Sequence, residues 1–124
     1  MKLRIADNSV RLRLGQSEVA QLASRGSVEA VLRFGNQLAL TYRLTSDAQI
    51  ATPAAIFNNG VLEVLIPTEA ARQWSANNEV AISGIQETGA AEPLAILIEK
   101  DFQCLHKEDG AQEDNYPNPA LQVN

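Results

Sequence analysis

The sequence is poor in the residues that most often carry chemistry. It has a single cysteine, Cys104, and a single histidine, His106, in 124 residues. One cysteine excludes an intrachain disulfide and favours a reducing compartment. No glycine-rich phosphate loop follows a strand, and no paired Asp or Glu spacing is typical of a hydrolase. We therefore expect a protein that is not an enzyme and that holds no cofactor.

Long apolar runs are also missing. The chain has no apolar stretch near the roughly 18 residues that a membrane-spanning helix needs. Its first 15 residues hold no uninterrupted apolar segment of the kind found in signal peptides. These two absences predict no membrane partner and a cytoplasmic location. The apolar fraction of 45% is ordinary for a globular protein, and a chain of 124 residues is most simply one domain.

Basic residues are scarce in the second half. Residues 1–62 carry seven basic groups and four acids, whereas residues 63–124 carry three basic groups and eleven acids. The halves thus have charges of +3 and -8, which give the net charge of -5. This asymmetry is typical of a polyanion site combined with an acidic tail, and the alternative is two solvated faces.

What the first half has in abundance is strict alternation of apolar and polar residues. In MKLRIA and SVRLRL, apolar side chains alternate with Lys2, Arg4, Arg11 and Arg13. A period of two with charges on one side predicts two half-buried strands with a basic outer face. Asp7-Asn8 supplies the turn between them.

A short helix and two more strands are predicted next. Ser17 is expected to cap the helix, and Gly26 to end it, because glycine accepts the left-handed conformation found there. The side chains expected on its buried side are Val19, Leu22 and Ala23. Strands at about 28–34 and 38–45 complete this first unit.

The second half repeats the same order of elements. Its predicted elements are strands at 55–57, 61–66, 79–84 and 94–100 and a helix from Pro67 to about Ala76, with Ala71 and Trp74 inward. A shift of 52 residues matches Leu22 to Trp74 and Val28 to Val80, while a shift of 51 gives more identities in the helix. The sequence leaves that choice open. We predict one pseudo-two-fold domain over 1–106, with units at about 1–46 and 52–101, followed by an acidic tail over 107–124.

The second unit resembles the swapped-hairpin domain of AbrB-like transition-state regulators and MazE-type antitoxins. The matching features are the glycine turn at Gly60, the strand VLEVLIP at 61–67, the helix TEAARQW at 68–74 and Glu79-Val80-Ala81-Ile82 opening the next strand, without the usual spacer before the valine. The first unit is similar to the antitoxin version, with Gly15 in place of the proline, and two copies in one chain resemble the MraZ-like proteins. The resemblance covers about residues 1–100. It implies an α+β, mostly β fold: a swapped-hairpin barrel made of two fused strand-strand-helix-strand-strand units.

Those regulators contact DNA through arginines on strands and loops, so the resemblance implies a nucleic-acid site. Arg13 falls on the strand arginine of the antitoxin pattern, and Arg72 on a helix arginine. Val61 stands where an arginine usually follows the glycine turn. The candidate nucleic-acid-binding residues are Lys2, Arg4, Arg11, Arg13, Arg33, Arg43 and Arg72. A sequence pI of about 4.8 opposes this reading, and a plain solvated strand face is the alternative.

The C-terminal segment carries the remaining candidates. Cys104 and His106 lie two residues apart beside carboxylates, a combination that suits a transition metal, although a structural zinc site normally has four ligands. Two exposed tail residues are the alternative. The stretch EKDFQCL at 99–105, with YPNP at 116–119, resembles a small bacterial family of uncharacterised proteins and implies no activity.

Together these features favour a non-catalytic binding module whose partner is unknown. One alternative is a DNA-binding regulator that uses the first-half arginines. Another is an antitoxin-like protein whose acidic tail binds a protein partner, as MazE-type antitoxins do. The third is a metal-binding protein that uses Cys104 and His106.

Overall fold

The computed structural model describes residues 1–102 and 114–117. This part of the chain forms eight strands and two helices. They are β1 (Lys2–Ala6), β2 (Ser9–Leu14), α1 (Gln16–Arg25), β3 (Ser27–Gly35), β4 (Leu38–Asp47), β5 (Ala54–Asn58), β6 (Val61–Pro67), α2 (Thr68–Ala76), β7 (Ala81–Gln86) and β8 (Leu94–Lys100). The predicted order of elements is confirmed.

The strands form two four-stranded sheets. Sheet A has the order β1-β2-β8-β7, and sheet B has the order β3-β4-β6-β5. The strands of each hairpin are antiparallel, whereas β2 runs parallel to β8 and β4 parallel to β6. Each sheet therefore combines one hairpin from the first half of the chain with one from the second. The α+β, mostly β class is confirmed.

The two halves have the same strand registers. Lys2 pairs with Arg13 in the first hairpin, and the residues 52 positions later, Ala54 and Leu65, pair in the same way. The helices follow the shift of 52 as well, because their buried residues are Val19 and Leu22 in α1 and Ala71 and Trp74 in α2. The structure thus decides between the two possible shifts.

The match of Val28 to Val80 is wrong. Val28 pairs with Leu44, and the equivalent pair in the second half is Ile82 with Ile98, a shift of 54. Two extra residues before β7 account for the difference, and they also move that strand from the expected 79–84 to 81–86. Val80 is 48% exposed and does not fill the core position.

One hydrophobic core takes equivalent residues from both halves. Its most deeply buried members pair off by position: Leu12 with Val64, Leu14 with Ile66, Leu22 with Trp74, and Leu44 with Ile98. The Trp74 indole also donates a hydrogen bond to the Val80 carbonyl at 3.0 Å. A unit of about 50 residues is marginal alone, so the shared core explains why both copies are needed.

The start of α1 differs from the prediction. Its N-cap is Gly15, and Ser17 lies inside the first turn, where its hydroxyl donates to Asp114 instead of capping the helix. Ala23 was expected on the buried side of α1 but is exposed. Fewer residues of α1 face the core than its apolar spacing predicted. Gly26 ends the helix as predicted, with φ of 84° and its N–H bonded to Leu22 at 2.9 Å.

Sheets A and B remain separate along the edges β5 and β7, so the described strands form no closed barrel. Between these edges the Gln86 side chain replaces a strand ladder. Its amide oxygen accepts from the Ala55 N–H at 2.6 Å, and its NH₂ donates to the Ala55 carbonyl at 3.1 Å. One side chain thus satisfies backbone groups that barrel closure would pair.

Neither helix in the described part of the chain has the length and apolar character needed to cross a membrane.

Candidate anion-binding face

The outer side of the first hairpin gathers four cations. Lys2 lies directly opposite Arg13, and Arg4 directly opposite Arg11. Because side chains alternate across a strand, these four point away from the side that carries Val10, Leu12 and Leu14 to the core. We call Lys2, Arg4, Arg11 and Arg13 the basic face. It confirms the predicted basic outer face of the two strands as a single surface.

Like charges opposite each other destabilise a strand pair, so the basic face needs counterions. Glu99 in β8 supplies one, because the parallel register places it beside Arg13. Its Oε1 lies 2.6 Å from Arg13 Nε and 3.5 Å from Arg11 Nε. Asp101, which is 7% exposed, supplies the second through a 2.7 Å contact with Lys2 Nζ.

The basic face keeps an excess of positive charge. Four cations face two carboxylates, and Arg4 has no ion pair among residues 1–102 and 114–117. The four basic side chains line a cavity of about 190 Å³. The side chains of Lys2 and Arg13 are 64% and 44% exposed, so an anion in solution can reach them.

The equivalent surface of sheet B has a different charge pattern. The residues 52 positions after the basic face are Ala54, Ile56, Glu63 and Leu65. Arg43 lies on this sheet, 3.4 Å from Glu29 and 3.5 Å from Glu63. The structure therefore separates Arg43 from the basic face and surrounds it with carboxylates.

Two other predicted nucleic-acid-binding residues also lie apart from the basic face. Arg33 is an exposed residue near the tip of the β3–β4 hairpin. Arg72 is on α2, where its Nε donates to Glu69 at 3.1 Å. That hydrogen bond and the charge of Arg72 lower the pKa of the exposed Glu69, and Glu69 in turn raises the pKa of Arg72. Four of the seven candidates thus form one surface, and three do not.

The proposed metal ligands Cys104 and His106 lie outside the described residues. Within residues 1–102 and 114–117, no group of three or more His, Cys, Asp and Glu side chains is arranged to hold a metal ion. The metal site stays a prediction.

A part of the predicted tail docks on the N-terminus of α1. Asp114 accepts hydrogen bonds from the Ser17 hydroxyl at 2.6 Å and the Ser17 N–H at 3.1 Å, and its carbonyl accepts from Gln16 N–H at 2.8 Å. A carboxylate here satisfies free helix donors and the positive end of the helix dipole. Gly15 makes the approach possible, because a Cβ there would lie 2.6 Å from Asp114 Oδ2.

Sequence reasoning missed Glu99 and Asp101 as counterions and Asp114 as a cap. The run Glu99-Lys100-Asp101 at the end of a predicted strand was the available signal for the first two. For Asp114 the signal was Gly15, which has no side chain to cap the helix that follows it.

The model of a family of unknown function, DUF7009, matches residues 1–120. The chain belongs to this family. No curated protein and no solved structure matches the chain. The family carries no assigned activity, so a functional proposal has to come from the surface itself.

Proposed function

We propose that this protein is a non-catalytic binding module that binds the phosphate backbone of duplex DNA through its basic face. The observation that carries the proposal is the gathering of four cations on two neighbouring strands against two carboxylates. Phosphate contacts supply most of the affinity in non-specific DNA binding, and exposed lysine and arginine side chains are the usual donors.

The spacing of the basic face suits an extended anion. Side chains two residues apart on one strand lie roughly 7 Å apart, and adjacent strands lie roughly 5 Å apart. Arg11 and Arg13 both lie against Glu99 Oε1 and so present one combined position, and Lys2 and Arg4 on the neighbouring strand extend it. Arginine also binds phosphate through two parallel N–H bonds, which fixes the orientation of the partner.

The acidic character of the rest of the chain is compatible with this proposal. The net charge of -5 repels a polyanion from most approaches, so productive encounters come from the basic side. Binding of this kind is weak at physiological salt and orients the molecule on its partner.

The proposal includes a relationship to the swapped-hairpin regulators. The exchange of hairpins between the halves and their equal registers support it. On sheet B the positions equivalent to the basic face carry no arginine, and Arg43 lies between two carboxylates. This argues for contact through one face, in place of the symmetric readout that dimeric regulators use.

The test is fluorescence anisotropy with a labelled short duplex at about 50 mM and about 200 mM salt. We expect saturable binding at the lower salt that weakens strongly at the higher. The double variant Arg11→Gln/Arg13→Gln should reduce the slope of log K against log salt by about 2, since each phosphate contact contributes about 0.9.

Arg43→Gln is the matched control. Arg43 and Arg11 are both strand arginines with side chains 32% exposed, but they lie on different sheets. The control should bind as the unaltered chain does. An unchanged anisotropy at the lower salt, or an equal loss in Arg43→Gln and the double variant, would refute the proposal.

A further inference from the structure

A second surface feature lies on the opposite face of sheet A. Lys100 follows Glu99 in β8, so its side chain points away from the basic face. It lines a cavity of about 370 Å³ that lies between the segments at Phe102 and at Tyr116-Pro117 and the residues before β7. Phe102, Tyr116 and Pro117 contribute the first side, and Asn77, Asn78 and Val80 the second.

Lys100 is the most buried residue of this cavity, at 6% exposed. Its ammonium donates to the Asn77 carbonyl at 2.7 Å. It also lies 5.6 Å from the ring centre of Trp74 and 5.4 Å from that of Tyr116, which is within cation–π range. All three contacts are with neutral groups, and no carboxylate lies within ion-pair distance of Lys100 among the described residues.

A buried ammonium with only neutral partners is in an unfavourable position. Burial lowers the pKa of Lys100, and the charge of Glu79 offsets only part of this effect. Buried charges are normally paired, because removing an ion from water costs several kcal/mol. Lys100 Nζ has three N–H donors and uses one of them on Asn77, so an anion could bind to it from the cavity.

The first half of the chain has a serine at the position equivalent to Lys100. Lys100 N–H donates to the Val80 carbonyl at 3.0 Å, and in the first half Ser46 N–H donates to Gly26 at 2.9 Å. Ser46 is thus the equivalent of Lys100. The two extra residues before β7 lie next to this position, and the Asn77 carbonyl of the same segment accepts the hydrogen bond from Lys100.

From this geometry we propose that the cavity binds a small organic carboxylate with a planar apolar body. The carboxylate would bind to Lys100 Nζ, with the amide side chains of Asn77 and Asn78 as further donors. The rings of Phe102 and Tyr116, with centroids 5.8 Å apart, would contact the apolar body. One lysine suits a single negative charge better than a phosphate dianion, and the volume lies within the range of small-molecule pockets, roughly 300–1,000 Å³.

The chain contains its own reporter for this site. Trp74 is the only tryptophan, and its ring lies against Lys100. The experiment is a fluorescence titration of the full chain with benzoate and, separately, with benzamide, which has the same shape and no charge. We expect a saturable change with benzoate and binding of benzamide at least about tenfold weaker, because only benzoate carries a charge opposite to that of the Lys100 ammonium.

Two variants test whether the preference for benzoate depends on Lys100. Lys100→Met should abolish the preference for benzoate over benzamide. Arg25→Met, which removes an exposed cation from α1, should keep it. Equal responses to the two probes, a preference that survives in Lys100→Met, or no saturable response in the unaltered chain would overturn the proposal.

If Lys100→Met fails to fold, an NMR titration of the unaltered chain tests whether benzoate binds in this cavity. Addition of benzoate should shift the side-chain amide resonances of Asn77 and Asn78 more than those of Asn8 and Asn36, which do not line the cavity. Shifts elsewhere in the molecule with none at Asn77 and Asn78 would show that benzoate binds at another place and would refute the assignment.

Discussion

The outer surfaces of the two sheets occupy equivalent positions and carry different charges. On sheet A, Arg11 and Arg13 share Glu99, and Lys2 and Arg4 lie beside them. On sheet B, the position equivalent to Arg11 is Glu63, which accepts a hydrogen bond from Thr45 at 2.8 Å and lies near Arg43. The same backbone therefore presents a basic surface once and a neutralised ion-pair network once.

This difference shows which positions the repeat constrains. Inward residues of both halves are apolar at matching positions, because both sheets bury one face in the same core. Outward residues have no such constraint, since surface substitutions usually change stability by less than about 0.5 kcal/mol. The halves differ at the outward positions, at Lys100 and its equivalent Ser46, and in the two extra residues before β7.

The largest expected change in stability comes from substitutions at equivalent core positions of the two halves. Trp74→Ala should lower the free energy of unfolding by roughly 3–5 kcal/mol, and Leu22→Ala, at the equivalent position, by roughly 2–4 kcal/mol. Trp74 should cost more because it also loses the hydrogen bond to Val80 and the contact with Lys100. Urea denaturation followed by circular dichroism measures both values. A small loss in either variant would contradict the shared core.

The helix starts offer the next test. Gly15→Ala should destabilise the chain by roughly 1–3 kcal/mol, because the new methyl group would overlap Asp114. The backbone at Gly15 has φ of -78°, which alanine adopts freely, so the cost comes from the contact alone. Asp114→Ala should cost about 1 kcal/mol through loss of the cap. Thermal or urea unfolding of the single and double variants should show non-additive losses, whereas additive losses would mean that the two residues do not interact.

A change of one counterion on each sheet tests the two surfaces directly. Glu99→Gln should tighten binding of duplex DNA roughly twofold to fivefold at low salt, because it removes a negative charge from between Arg11 and Arg13. Glu63→Gln removes a carboxylate from the outer surface of sheet B and should leave the affinity unchanged. The anisotropy titration described above measures both. Equal effects of the two variants would mean that net charge governs binding, and not the basic face.

The smallest expected effect is a pH dependence of folding stability caused by Lys100, for which Ser46, its equivalent in the first half, has no counterpart. Burial lowers the pKa of Lys100 below 10.5, so between that lowered pKa and 10.5 the folded chain binds fewer protons than the unfolded chain. Stability therefore rises with pH across this window, and the cost of the buried charge is fully present below it. Lys100→Met should lack this rise, as measured by urea midpoints from about pH 8 to about pH 10.

Tyr116 sets the upper limit of that measurement. Burial, aided by the charge of Asp114, raises the pKa of its phenol above 10.0, which lowers stability as pH rises beyond that value. Parallel curves for the unaltered chain and Lys100→Met below pH 10.0 would contradict the assignment of the effect to Lys100.

The sequence predicted the strands and helices well because the inward positions keep a simple period. Alternation in MKLRIA and SVRLRL identified both the hairpin and its basic side. The prediction failed where long-range contacts decide the outcome. Ser17 has the chemistry of a cap, but Asp114, which is 97 residues away, occupies the helix end through the space at Gly15.

The candidate site was less predictable than the fold. Arg43 alternates with apolar residues as Arg11 does, so the sequence placed both in one set. Only the pairing of β4 with β6 shows that Arg43 belongs to the other sheet and to Glu63. The sequence also did not reveal the two extra residues before β7. Val80 and Ile82 are both apolar, so either of them fits the alternation of the strand.

The parallel pairing of β2 with β8 also has a consequence for the order of folding. These strands are neighbours in the centre of sheet A, yet paired residues such as Ser9 and Ala95 are 86 positions apart. In sheet B, paired residues of β4 and β6 such as Thr41 and Val61 are only 20 positions apart. Since closing a long loop costs more entropy than closing a short one, sheet B should assemble first. During synthesis, β2 leaves the ribosome long before β8 has been made. Its apolar side therefore has no partner strand until β8 is complete.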